Sequence, residues 1–231
     1  MAILSSATGS ERFFATGNER SRITFPNWNV TNAGYPLRSN DRLALIVDLM
    51  NQSAEDKIVY VTMYYDYVDS IRKDWDEVKP VWFDVAQCAF SEVFPPKQDG
   101  EFTVTASPWV ANIDGKVIGI GGHVHDGGTN VRILVDGKPA CNSVASYGTS
   151  PEFVQKDLAA GGHSHGSAMD HISEMTMCFP ENGLGVPQVT KGQKWVLNAD
   201  YNYGKFKGMT NKRGTQDTIM GIAIMYVALK R

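Results

Sequence analysis

Alternation of apolar and other residues with a period of two constrains this chain more than any other feature. It runs through "RLALIVDLMN" (42–51), "KIVYVTMYYDYV" (57–68), "KPVWFDVAQ" (79–87), "EFTVTAS" (101–107), "GKVIGIGGHVH" (115–125), "NVRILVDG" (130–137), "HISEMTMCF" (171–179), "QKWVLNADYN" (193–202) and "DTIMGIAIMYVAL" (217–229). Side chains two apart share one face of a strand, so each segment can turn an apolar face toward a core. The segments are rich in Val, Ile, Tyr and Trp and are separated by Gly, Pro, Asn and Asp, which is strand and turn chemistry. About nine strands with turn signals every ~10–20 residues predict an all-β fold, an antiparallel β-sandwich or jelly roll. Only "PEFVQKDLAA" (151–160) reads as helical, with Ser150 as N-cap and Pro151 in the first turn, so one or two short helices are expected. No repeat or linker interrupts the pattern, and residues 1–231 read as one domain.

Composition narrows the function classes. Apolar residues make up 42% and charged residues 20%, as in an ordinary globular protein. A formal charge of −3 gives no reason to expect nucleic acid or an anionic membrane as partner. No apolar run approaches the ~20 residues of a membrane helix. Asn29-Val30-Thr31 and Asn51-Gln52-Ser53 fit the N-glycosylation pattern, which points to the secretory route and a secreted protein. The start "MAILSSATGS" is too short and polar for an intact signal peptide and reads as a start Met on a trimmed mature end. The three cysteines, Cys88, Cys141 and Cys178, form no C-x-x-C pair and are compatible with one disulfide plus one free thiol.

The chemistry concentrates in the histidines. All five fall between positions 123 and 171. In "GGHVHDGG" (121–128), His123 and His125 lie two apart, on one strand face and about 7 Å apart along the chain. Gly119 and Gly121 share that face and leave room beneath a ligand. The pair suits a metal, although an isolated H-x-H is more often surface or core histidine. His163 and His165 sit in "GGHSHGSAMDH", readable as a solvent-exposed loop or as a lid over the H-x-H face, and His171 starts the next strand. Among the nine methionines, Met175, Met177, Met209, Met220 and Met225 lie in the C-terminal part. A thioether beside two imidazoles suits copper, whereas a single Met in a strand is ordinarily core filling.

Together, "IGIGGHVHDGGTNVRILVDGK", "CNSVASYG", "EMTMCFP" and "IMGIAIMYV" resemble the second catalytic domain of copper type II, ascorbate-dependent monooxygenases. Peptidylglycine α-hydroxylating monooxygenase and dopamine β-hydroxylase belong to that family. The likeness is closer to the nodulin-related, stress-upregulated secreted proteins that share the domain, and it covers about residues 12–231. It implies a two-His, one-Met copper site on His123, His125 and Met220, and a disulfide between Cys141 and Cys178. The chain departs from the monooxygenases in one respect: no histidine precedes residue 121, so the three-histidine copper centre that supplies electrons has no counterpart here, and a complete two-copper hydroxylase is not expected.

Three readings follow. In the first, a secreted protein carries one copper on His123, His125 and Met220 and oxidises or binds a small molecule. In the second, the fold is kept without metal, and His125, Asp126, His171 and Glu174 act as general acids and bases on a small-molecule substrate. Dehydration followed by hetero-Diels–Alder ring closure in fungal biosynthesis is chemistry of that kind. In the third, the sandwich is a non-catalytic binding module.

Overall fold

The computed structural model describes residues 10–17, 32–49, 55–70, 72–87, 90–149, 171–211 and 213–229. They form two sheets. The first carries, in spatial order, β1 (Ala33–Gly34), β2 (Asp76–Asp84), β12 (Gly221–Leu229), β5 (Gly115–Val124) and β10 (Gln188–Val189), with β9 (Met177–Cys178) also on β5. The second runs β3 (Glu101–Thr105), β11 (Lys194–Asn202), β6 (Gly128–Val135), β7 (Lys138–Tyr147) and β8 (Ile172–Met175), with β4 (Trp109–Val110) on β11. Every pairing is antiparallel except that of β1 with β2. The all-β sandwich expected from the period of two is what the chain forms.

The core lies between the sheets. Val117, Ile120 and Val124 of β5 and Ala223, Met225 and Val227 of β12 meet Val131, Ile133, Trp195, Leu197 and Tyr201 of the second sheet. Each aliphatic side chain buried there contributes about 1.5–3 kcal/mol. The even residues of β12, Ile224, Tyr226 and Ala228, point the other way and pack with Ala33, Val78, Ile118 and Trp82. That outer face is covered from the N-terminal side: Tyr226 Oη donates to the Phe13 carbonyl at 2.9 Å, and Phe13 stacks on Tyr35 at 5.0 Å. With both faces covered, β12 can be apolar throughout, "GIAIMYVAL", instead of alternating.

The Cys141–Cys178 disulfide joins β7 of the second sheet to β9 of the first, with Cα atoms 5.8 Å apart and both residues buried in the core. The pairing implied by the family resemblance is therefore present.

Several expectations need correction. Residues 42–49 and 57–68 form no strand, and Leu43, Leu45, Ile46, Ile58, Tyr60 and Tyr64 are exposed. Alternation says which side chains share a face but not that a partner edge exists, and on the outer edge of β2 the two-residue β1, at Asp76 and Glu77, is the strand that pairs among the described residues. Conversely β7, whose "KPACNSVASY" mixes small and polar residues, was not expected as a strand. The expected strand 171–179 changes sheets at Thr176: β8 pairs with β7, and β9 pairs with β5. Among the described residues there is no helix, and none long and apolar enough to cross a membrane. The expected helix 151–160, Asn29, Asn51, Cys88, His163 and His165 lie outside the described residues.

Candidate metal centre

Two adjacent central strands position the histidines. β5 and β12 run antiparallel, with His123 across from Ile222 and Val124 across from Gly221. Continuing that register by one residue sets His125 across from Met220. Facing follows from the neighbours. Ile120 and Val124 enter the core, and a Cβ on Gly122 would meet Ser143 and Val131 of the second sheet within 2.9 Å. Gly121, His123 and His125 therefore take the outer face. On β12 the same logic applies: Ile219 is in the core, and a Cβ on Gly221 would lie 2.5 Å from that of Ala199. Met220 and Ile222 therefore face outward too. Alternation thus gathers His123, His125 and Met220 on one side of the first sheet.

The two rings stand edge to face, with centroids 5.7 Å apart and planes at 84°. Two imidazoles bound to one metal at about 2 Å have centroids roughly 4.5–6 Å apart, so the pair is within the span of a single ion. His125 Nδ1 lies 2.9 Å from the Thr218 carbonyl oxygen. A carbonyl only accepts, so Nδ1 carries the proton and Nε2 of the neutral ring keeps its lone pair. Burial lowers the His125 pKa, and the nearby charge of His123 lowers it further, against the partial opposition of the Thr218 carbonyl, Glu92 and Asp126. Among the described residues no three His, Cys, Asp or Glu side chains cluster for a metal, and Met220 is the thioether that shares the face of this pair.

The glycines answer to the turn. Gly128 N donates to the His125 carbonyl at 2.9 Å, closing a four-residue turn in which Gly127 takes φ of 91°. A Cβ on Gly127 would also lie 2.3 Å from the Tyr203 ring. Asp126, at the corner, is buried with both carboxylate oxygens used: Oδ2 is 2.5 Å from His171 Nδ1, and Oδ1 accepts from Ile172 N at 3.0 Å. This pair ties the start of β8 to the β5–β6 turn. The structure thus brings His123, His125 and Met220 together on one face and Asp126 and His171 together beside it. Glu174 belongs to neither group. It is exposed on β8, across from Ser146 in the second sheet.

Four residues that sequence reasoning did not assign to the site border it. Thr218 supplies the carbonyl for His125. Tyr201 places its hydroxyl between the His125 amide and the Met220 carbonyl, at 3.0 and 2.6 Å. Asp84 sits in the same cross-strand row as Ile222 and His123, buried and bonded to Ala86 N, Trp82 Nε1 and the Ser91 hydroxyl, with Arg12 at 3.9 Å. Met177 lies over Gly121, its Sδ 3.7 Å from where a Cβ would be. Of the other methionines, Met175 and Met225 are core residues.

No protein-family profile matches the chain. No solved structure matches it. Curated relatives exist at the sequence level. Over 217 residues the chain is 27% identical to "Probable copper-dependent oxygenase clz3" of Cochliobolus lunatus, covering 94% of this chain and 64% of that protein. It is also 27% identical over 217 residues to "Probable copper-dependent oxygenase M1" of a Phoma species, covering 94% of this chain and 51% of that protein. The chain therefore spans about half to two thirds of the length of these relatives.

Proposed function

We propose that this protein is a copper-dependent oxidase or oxygenase of a small molecule, with one copper held by His123, His125 and Met220. The observation that carries the reading is the shared outer face of these three residues, with the His125 tautomer set by Thr218 so that Nε2 is the donor. Two imidazoles and a thioether form a donor set suited to copper, and a ligand histidine that passes its other N–H to a carbonyl is oriented as metal ligands are. The names of the two relatives point the same way.

Copper held by His123, His125 and Met220 would supply one-electron chemistry for the oxidation of a small molecule by dioxygen. The chain contributes the frame. Thr218 keeps the proton on His125 Nδ1, and Ile222, between His123 and Asp84, gives the face an apolar floor. We also place the protein in the secretory pathway. The cross-sheet disulfide supports this, because such bonds persist in oxidising compartments, and a glycosidase-sensitive mass at Asn29 or Asn51 in protein from a eukaryotic host tests it.

The decisive experiment measures copper per chain after loading and dialysis, for wild type, His123→Ala and His125→Ala. One copper in wild type and none in either variant is expected. Variants that keep wild-type copper would refute the site. Oxygen uptake with a reductant and candidate substrates then tests the activity. Product formed equally well by chelator-treated protein would favour acid–base chemistry at His171 and Asp126 instead.

A further inference from the structure

We infer that Tyr201 is a positioning residue of the metal centre, its buried hydroxyl fixing the distance between the two strands that carry His125 and Met220. This rests on the copper reading above.

The residue comes from the opposite sheet. It sits on β11, is 2% exposed, and stacks flat on Phe102 at 5.2 Å with Tyr203 against its edge at 6.0 Å. Its ring fills the core, and its hydroxyl emerges where the β5–β12 ladder ends at Val124 and Gly221. There the next pair in register is His125 and Met220. The His125 amide donates to Tyr201 Oη at 3.0 Å, and Oη donates to the Met220 carbonyl at 2.6 Å.

The two backbone groups thus meet through an inserted hydroxyl rather than strand to strand. A buried tyrosine hydroxyl needs partners wherever it ends. Here both partners belong to proposed ligands and lie on different strands. The spacing of imidazole and thioether is therefore set from the second sheet. With the Thr218 contact, His125 is fixed at both its amide and its ring.

The test is Tyr201→Phe in the full chain, which keeps the ring stack and removes only the hydroxyl. Tyr147→Phe is the matched control: its hydroxyl likewise accepts from Gly127 N and donates to the Gly128 carbonyl, but touches neither proposed ligand backbone. Both variants are expected to melt below wild type. Only Tyr201→Phe is expected to bind copper about 10–100-fold more weakly, in competition with a chelator of known affinity, and to change the Cu(II) paramagnetic resonance spectrum. Equal copper affinity and an unchanged spectrum in Tyr201→Phe overturn the inference while leaving the copper site standing. Wild type that takes up no copper overturns both. Should Tyr201→Phe not fold, the His125 amide of wild type serves: on adding diamagnetic Cu(I) its resonance should shift and its exchange slow, and an indifferent amide overturns the inference.

Discussion

His125 Nδ1 lies 2.9 Å from the carbonyl oxygen of Thr218, so this ring nitrogen serves the fold, and Nε2 is the one that the proposed copper site uses. The two roles can be separated. Asn at this position reproduces a donor near Nδ1 but has nothing at Nε2, whereas Ala removes both. His125→Asn is expected to lose copper while unfolding in urea close to wild type. His125→Ala should lose copper and about 1 kcal/mol more, because the Thr218 carbonyl is left without its donor. Equal stability of the two variants would mean that the Thr218 bond contributes nothing.

A second prediction concerns pH, on the outside of the second sheet. Asp200 of β11 accepts from Arg132 Nε and Nη2 at 2.5 and 2.7 Å, from Thr103 at 2.7 Å and from Asn130 at 2.8 Å. Burial alone would raise its pKa, but the bonds from Arg132, Thr103 and Asn130 outweigh that and hold it below the ordinary value. A carboxylate depressed on folding stabilises above the unfolded pKa of about 3.9, and this stabilisation is lost as pH falls through the folded value. Asp200→Asn should cost roughly 1–2 kcal/mol at neutral pH, kept modest because Arg132 is half exposed. The gap to wild type should close as acid unfolding is followed downward from about pH 4. A gap that persists at the lowest pH would show that the carboxylate's charge is not its source.

The disulfide supports a third. Cys141 and Cys178 close a loop of sequence separation 37 and bolt the two sheets together. Loop-closure entropy for that length corresponds to about 4 kcal/mol. The Cys141→Ala, Cys178→Ala double variant should therefore melt far below wild type, and adding a thiol reductant to wild type should reproduce most of the shift. A loss under ~1 kcal/mol by denaturant titration would rule the cross-link out as a main support.

Two adjacent strands of the first sheet were legible because their own residues carry the signal: 115–125 alternates, 217–229 is a nearly continuous apolar run, and the structure forms 115–124 and 221–229. The segments 42–49 and 57–68 carry the same signal and form no strand, since alternation is a property of one segment and pairing needs two. β7 was missed for the converse reason: Ser143, whose hydroxyl accepts from Gly122 N and donates to the Thr176 carbonyl, is buried by its position between the sheets and not by its chemistry. At the site, the shared face of His123 and His125 follows from their spacing of two. Met220 was named through the family likeness, and its placement needed the β5–β12 register. Tyr201, Thr218 and Asp84 could not be read at all, because each acts through a contact between segments far apart in the chain.

Among the described residues, Met220 and Met177 bring thioethers to the outer face, and the register distinguishes them. Met220 follows the last β5–β12 pair, Gly221 with Val124, and so stands next to His125 in register, whereas Met177 is across from Gly121, one side-chain step further along the strand from His123. Gly121 has no side chain, and Met177 lies down over it, with Cε 3.3 Å from the position a Cβ would take. That posture is packing. Met220→Leu keeps volume and apolar character and should cost under about 1.5 kcal/mol, yet should weaken Cu(I) more than Cu(II), because the lost donor is the soft one. Met177→Leu should cost a similar amount of stability and leave both copper affinities at wild type. Titration of the two variants with Cu(I) against a competing chelator decides the matter: loss of affinity in Met177→Leu with none in Met220→Leu would move the third ligand from the start of β12 to β9 and overturn the assignment.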